Sequence, residues 1–358
     1  MFTQAKLERR MQRYREFFEH PEPGQILITI PPYTYSLKQQ CERIIHRPLS
    51  GWDPFTEAEL MAENAVAGER FYMEHTEEIG CDYIPCVSPG YGIALCSAYF
   101  SGSEVTPGVD TSWIHPVVDT WDQLDALTYR EDDRWVDFMR RYQRRALDLC
   151  EGDYCVAMLG AFAPSDMANA LRGNALFTDL YDEPERVRRL LEVSAGAILS
   201  LYRSLRGYRY APEGYFVAGG LALPGDGFFM SEDAADLCSP AAYREFFGPY
   251  TQRILDTVGS AYIHHHAKGW KVQGEIAKLR NLRFLEFSWD PNCPRPVDHL
   301  EEVMAMTGET PLQIRLTARD VYQNIDVIRR GRIALMVNVD TQDEAKDVVA
   351  FVRKHSKI

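Results

Sequence analysis

A (β/α)8 TIM barrel is the fold class the sequence predicts, with an N-terminal helical extension over residues 1–24 and long loops after strands 1 and 2. Three observations lead there. Eight apolar runs of strand length recur along the 358 residues, each followed by a helical stretch with start and stop signals. The units tighten toward the C-terminus, as repeated strand–helix crossovers do. No Gly/Ser linker divides the chain, so residues 1–358 read as one domain. Eight strands alternating with helices at this length favour a closed barrel over an open doubly wound sheet.

The elements follow in order. Leu7, Met11, Tyr14 and Phe18 form one apolar stripe, so the N-terminus reads as an amphipathic helix packed outside or beneath the barrel. The strand runs are 25–30 (QILITI), 81–87 (CDYIPCV), 154–160 (YCVAMLG), 215–223 (YFVAGGLAL), 261–266 (AYIHHH), 284–289 (FLEFSW), 312–316 (LQIRL) and 333–338 (IALMVN). Thr56 with Glu59 reads as a capping box and Gly80 as its helix stop; Ser239-Pro240, Thr317 and Thr341 with Glu344 open later helices. The connections 31–55 and 88–131 are rich in Pro, Gly, Tyr and Ser, and loops of that length in a compact domain usually carry function.

Composition narrows the class of activity. A hydrophobic fraction of 46% supports a real core, and a net charge of −13 argues against nucleic acid, which needs clustered Lys and Arg. No run reaches the roughly 18 apolar residues a bilayer span requires, and the charged N-terminus lacks a signal-peptide core. The expectation is a cytoplasmic protein whose eight cysteines include no Cys-x-x-Cys pair.

The likeliest seat of chemistry is His264-His265-His266. Side chains alternate along a strand, so Tyr262, His264 and His266 share one face and His265 takes the other. The same parity turns Glu286, Ser288 and Asp290 inward from the sixth strand, Gln313 and Arg315 from the seventh, and Asn338 and Asp340 from the eighth. A plain core would use Val, Ile and Leu there, because buried polar groups are costly unless paired. Such a cluster suits Zn²⁺ or another divalent metal held by His264, His266 and a carboxylate, Glu286 or Asp290. It equally suits a metal-free acid–base site or an internally saturated polar network. Lys268, Glu232 and Asp233 are candidate catalytic groups beside His266. Asp226, Trp289, Arg315, Asn338 and Asp340 are candidate substrate contacts. Gly160 to Asp166 ends one strand and opens a helix whose N–H groups could face an anion, and residues 31–35 (PPYTY) could wall a pocket.

In order along residues 154–355 the chain resembles the uroporphyrinogen decarboxylase superfamily, which includes zinc methyltransferases that serve corrinoid proteins. The resemblance rests on Gly160-Ala161-Phe162-Ala163-Pro164 followed by Ala168 to Gly173. It continues through Glu232-Asp233, then Ser239-Pro240 with Tyr243, Phe246, Phe247, Pro249 and Tyr250. His266-Ala267-Lys268-Gly269 and Ser288-Trp289 complete it. Departures bear on activity. The arginine-rich segment and second-strand aspartate of the decarboxylases have no counterpart, the second run ending Pro85-Cys86-Val87-Ser88. The His-x-Cys zinc motif of the methyltransferases meets Lys268, or His266 in the register His264-x-His266, and Val337-Asn338-Val339-Asp340 offers no cysteine. The resemblance implies a methyltransferase-like enzyme with a small-molecule substrate and a corrinoid protein as partner. A metal-free decarboxylase using Lys268, Arg315 and the histidines is the alternative, and a non-catalytic small-molecule-binding barrel the third reading. A homodimer is compatible with all three.

Overall fold

The computed structural model describes residues 4–31, 37, 40–289 and 293–358. Helix Gln4–Glu19 leads into β1 (Ile26–Thr29), and after helix Ala58–Thr76 come β2 (Cys86–Val87), β3 (Cys155–Val156) and β4 (Ala161–Phe162). Helix Pro184–Leu205 precedes β5 (Tyr215–Ala218), β6 (Leu221–Pro224) and β7 (Gly227–Ser231). Then β8 (Ser260–His266), β9 (Leu282–Ser288), β10 (Leu312–Thr317) and β11 (Ile333–Asn338) alternate with helices up to Gln342–His355.

The architecture is mixed α/β, built on a seven-stranded sheet in the order β1-β11-β10-β9-β8-β7-β4, every pair parallel. β2 and β3 form a separate parallel pair. Ala157 N extends that pair by donating to Val87 O, and Asp82 N, ahead of β2, donates to Ile28 O within β1.

The run 215–223, expected as the fourth strand, is not a strand of the parallel sheet. Gly219 and Gly220 take φ of 57° and 75°, where side chains are disfavoured, and the chain reverses into the antiparallel hairpin β5–β6. Its tip reaches the β8 side chain Tyr262, with Gly220 buried and Gly219 exposed. A Cβ on Gly219 would lie 3.4 Å from Tyr262 Oη, and Ile84 N donates to Gly220 O. The strand beside β8 is the next run, GFFMS.

Caps follow the sequence with one exception. Thr317 and Thr341 accept from Asp320 N and Glu344 N, and Ser239 from Ala242 N. Thr56, however, donates to Asp53 Oδ2, and its helix starts at Ala58 behind Glu57. Leu7, Met11 and Tyr14 are buried, and Phe17 rather than Phe18 completes the buried stripe. That helix is tied down by Asp82, a fully buried carboxylate that accepts from Arg13 Nε at 2.7 Å, Arg353 Nη2 at 2.8 Å and Ile28 N at 2.8 Å. Among the described residues no helix is long and apolar enough to cross a membrane.

Candidate metal centre

The site forms where β7, β8 and β9 end together. Register sets Ser231 beside His264 and His264 beside Glu286, with Glu286 beside Gln313. Tyr262 Oη lies on Glu286 Oε2 and on Gln313 Oε1, so the inward face of β8 is hydrogen-bonded across to β9 and β10. His264 Nδ1 is 2.8 Å from Glu286 Oε2, which fixes that nitrogen as the donor and turns Nε2 toward the opening. His264 Nε2 and His266 Nε2 are 3.1 Å apart. Asp233 Oδ1 lies 3.2 Å from His266 Nε2 and 3.6 Å from His264 Nε2. One atom from each of these three side chains falls within 4.8 Å of the others, so the group could hold a metal ion.

Asp233 reaches this point because its neighbour does not. Glu232 N extends the ladder by donating to His264 O, and its fully buried side chain turns the other way. There the carboxylate accepts from Ser165 Oγ, Tyr243 Oη and Thr251 Oγ1. A short 3₁₀ turn then starts at Asp233, its first N–H groups held by Asp166 at 3.1 Å from Asp233 N and 2.5 Å from Ala234 N. On the outward face His265 Nδ1 is 3.2 Å from Asp236 Oδ1, and its Nε2 meets Gln273 Oε1. Asp236 also accepts from His266 N at 3.2 Å, which orients the third histidine. The turn after β8 packs so tightly on Asp236 that a Cβ on Gly269 would lie 1.7 Å from its Oδ1.

The charges sort by neighbour. Burial alone would raise Glu286 and lower His264, but each overrides the other's penalty: Glu286 is held down to about 2 by the His264 charge and bonds from His264 and Tyr262. His264 is lifted to about 9 by Glu286, with Asp233 adding to it. Asp233 is half-buried, and His266 and His264 keep it below the usual carboxylate range against that desolvation. Asp166 takes the opposite course, burial and the Asp233 charge pushing it well up. The proton affinities of these two carboxylates thus move apart, Asp233 down and Asp166 up.

The remaining candidates scatter. Glu286 stands behind His264 instead of joining the three converging atoms, and Glu232 is enclosed by hydroxyls. Lys268 is exposed on the turn Ala267–Val272. Arg315 faces inward near enough for its charge to act on Glu286. Trp289 follows β9, with the Arg295 guanidinium 5.8 Å from its ring. Asn338 ends β11 half-buried, whereas Asp340 is exposed beyond it, its N–H on Glu344. Asp226 sits at the opposite end of β7, paired with Arg209 at 2.6 Å. It does so because the hairpin takes the place expected for the fourth strand, so the LPGDG turn precedes β7 instead of following it. Asp290 and residues 32–35 lie outside the described residues. Asp166 and Asp236 were not singled out from the sequence, although Asp166 stands in the GAFAPSD helix opening.

No family model matches the chain, and no curated protein matches it. Among solved structures, a methyltransferase from Methanosarcina mazei aligns over 99% of this chain and 99% of its own, with a TM-score of 0.63 at 14% identity. At that identity the likeness concerns the fold.

Proposed function

We propose that the protein is a metal-assisted, methyltransferase-like enzyme of the uroporphyrinogen decarboxylase superfamily, acting on a small molecule with a corrinoid protein as methyl donor or acceptor. In this reading residues 1–358 form one closed (β/α)8 barrel, residues 1–24 its helical extension, and the centre lies at the C-terminal ends of the strands, where such barrels place their chemistry. The fold shared with a methyltransferase supports it. The observation that carries it is the convergence of His264 Nε2, His266 Nε2 and Asp233 Oδ1.

The donor set fits a divalent ion. Asp233 Oδ1 is buried and accepts no well-aligned hydrogen bond among the described residues. The 3.1 Å between the two Nε2 atoms requires one shared proton, which a cation would replace. His264, His266 and Asp233 would hold the ion, leaving a position open for substrate. When bound, it would supply Lewis acidity to a substrate oxygen or other heteroatom, as two nitrogens and one oxygen suit harder donors than a thiolate-rich zinc site does. The chain's own groups set this up. Glu286 keeps the proton on His264 Nδ1, so Nε2 presents its lone pair, the carboxylate–histidine arrangement typical of metal centres. Asp236 orients His266 through its backbone, and Asp166 holds the first N–H groups of the turn that carries Asp233. Lys268, central to a decarboxylase, is exposed on its turn.

The test is elemental analysis of protein purified without chelator, beside a His264→Ala/His266→Ala variant. Near-stoichiometric metal that vanishes in the variant is expected, followed by corrinoid-dependent methyl transfer. Protein that carries no metal and takes up neither Zn²⁺ nor Co²⁺ overturns the proposal.

A further inference from the structure

A sizeable void near the centre lies in the barrel wall. β4 and β7 pair only at Ala161–Met230 and Phe162–Ser231, so residues 157–160 and 227–229 run side by side without ladder bonds among the described residues. The β5–β6 hairpin rises beside that gap. Between them is a cavity of about 770 Å³ whose walls include Ala157, Leu159, Val217, Ala218, Cys96 and Phe229. That volume is in the range of small-molecule sites.

Its two ends differ. The outer rim carries Arg206, Arg209, Glu213 and Asp226, two positive and two negative groups, with Arg209 and Asp226 already joined. A rim balanced in this way favours neither anion nor cation. The inner end is closed by Phe229. Its ring centroid is 5.2 Å from Tyr262 and 5.7 Å from His264, so one aromatic ring separates the cavity from the histidine pair. Gly160 makes room for it: a Cβ there would stand 2.6 Å from Phe229 Cδ1.

We infer that this cavity is a binding chamber for the uncharged, apolar body of an aromatic-sized ligand, entered from the barrel flank, with Phe229 as the partition between that body and the metal centre. The assignment rests on the metal reading above for what lies beyond Phe229, but the chamber itself does not. Its consequence is two approaches to one centre. The small molecule arrives through the wall between residues 157–160 and β7, and the C-terminal mouth stays clear for a macromolecular partner.

Phenol, one ring with one oxygen, is the probe. Calorimetry on metal-free protein should show saturable binding that weakens at least tenfold in Ala157→Trp, which fills the chamber, and in Ala211→Trp, a lining residue two positions after Arg209 of the rim, which obstructs the outer end. Circular dichroism and unchanged Co²⁺ affinity establish that each variant is folded. In Co²⁺-loaded native protein the same phenol should shift the cobalt d–d absorption over the same concentration range. Absence of phenol binding, or binding unaltered in both folded variants, overturns the chamber. Binding that both variants weaken but that leaves the cobalt spectrum unmoved removes Phe229 as the partition. Failure of Co²⁺ to bind overturns the metal reading instead, while the calorimetry still decides the chamber.

Discussion

Replacing Glu286 by Gln should abolish a pH dependence that the native metal-free protein owes to one buried pair. His264 is lifted from the usual 6.5 to about 9 chiefly by Glu286 working against burial. At about 1.4 kcal/mol per tenfold change in proton affinity, that step corresponds to about 3 kcal/mol of stability. The folded protein keeps this proton after the unfolded chain has released it. The contribution is therefore complete below pH 6.5, shrinks as pH rises and is gone near pH 9. Glu286 reports the same pair from its acid side, complete above its ordinary 4.5 and lost as pH falls toward about 2, so the two are not summed. In Glu286→Gln the desolvation of His264 is opposed only by Asp233 and more distant charges, and its proton should be lost near or below neutrality. The assay is urea unfolding of chelator-treated protein at pH 6 and pH 9, native against variant, with histidine-selective NMR to titrate the ring. The gap between the two proteins should close by about 3 kcal/mol across that interval. Parallel profiles, or a His264 ring that titrates alike in both, would refute the ion pair.

Further outcomes follow from neighbouring residues. Asp233→Ala should lower Zn²⁺ affinity at least about 100-fold, beyond the roughly 10–100-fold that loss of a group merely supporting a ligand costs, with little change in thermal stability. Glu232→Ala should do the reverse, because it strands three buried hydroxyls and costs about 3 kcal/mol of unfolding free energy, measured by urea titration with Zn²⁺ binding followed in parallel. Asp82→Ala should cost about 3–5 kcal/mol by leaving Arg13 and Arg353 uncompensated, while equilibrium dialysis finds metal affinity unchanged. Gly269→Ala should destabilise the turn after β8 and weaken metal binding together, since Gly269 takes φ −93° and is required for closeness to Asp236, not for backbone freedom; a freely tolerated alanine would show that the turn has room.

Much of the architecture could be read in advance because period and punctuation agree within each unit. The runs near 26, 261, 284, 312 and 333 are continuous apolar strands between capped helices, and two-residue alternation puts Tyr262 and His264 on the face where both meet Glu286. The run 215–223 misleads for a definite reason. Its apolar residues suit a buried hairpin as well as a buried strand, and only the Gly219-Gly220 reversal separates the two. At the site, adjacency in sequence says nothing about which of Glu232 and Asp233 enters the pocket. That choice is made by Ser165, Tyr243 and Thr251, which come from two other segments and claim Glu232 for themselves. Asp166 and Asp236 were illegible for the same reason: each acts on backbone N–H groups distant in the chain, and no local pattern marks an acceptor of that kind.

Asp82 also bears on how the molecule is made. Arg13 precedes it in synthesis, but Arg353 follows 271 residues later. At roughly 5–20 residues per second the ribosome takes on the order of 15–50 s to deliver that second guanidinium. Throughout that time the nascent chain carries a carboxylate destined for full burial with half of its counter-charge still missing. Closure around Asp82 therefore waits for helix Gln342–His355: a chain cut before it keeps His264, His266 and every described strand, yet leaves a buried carboxylate short of one partner.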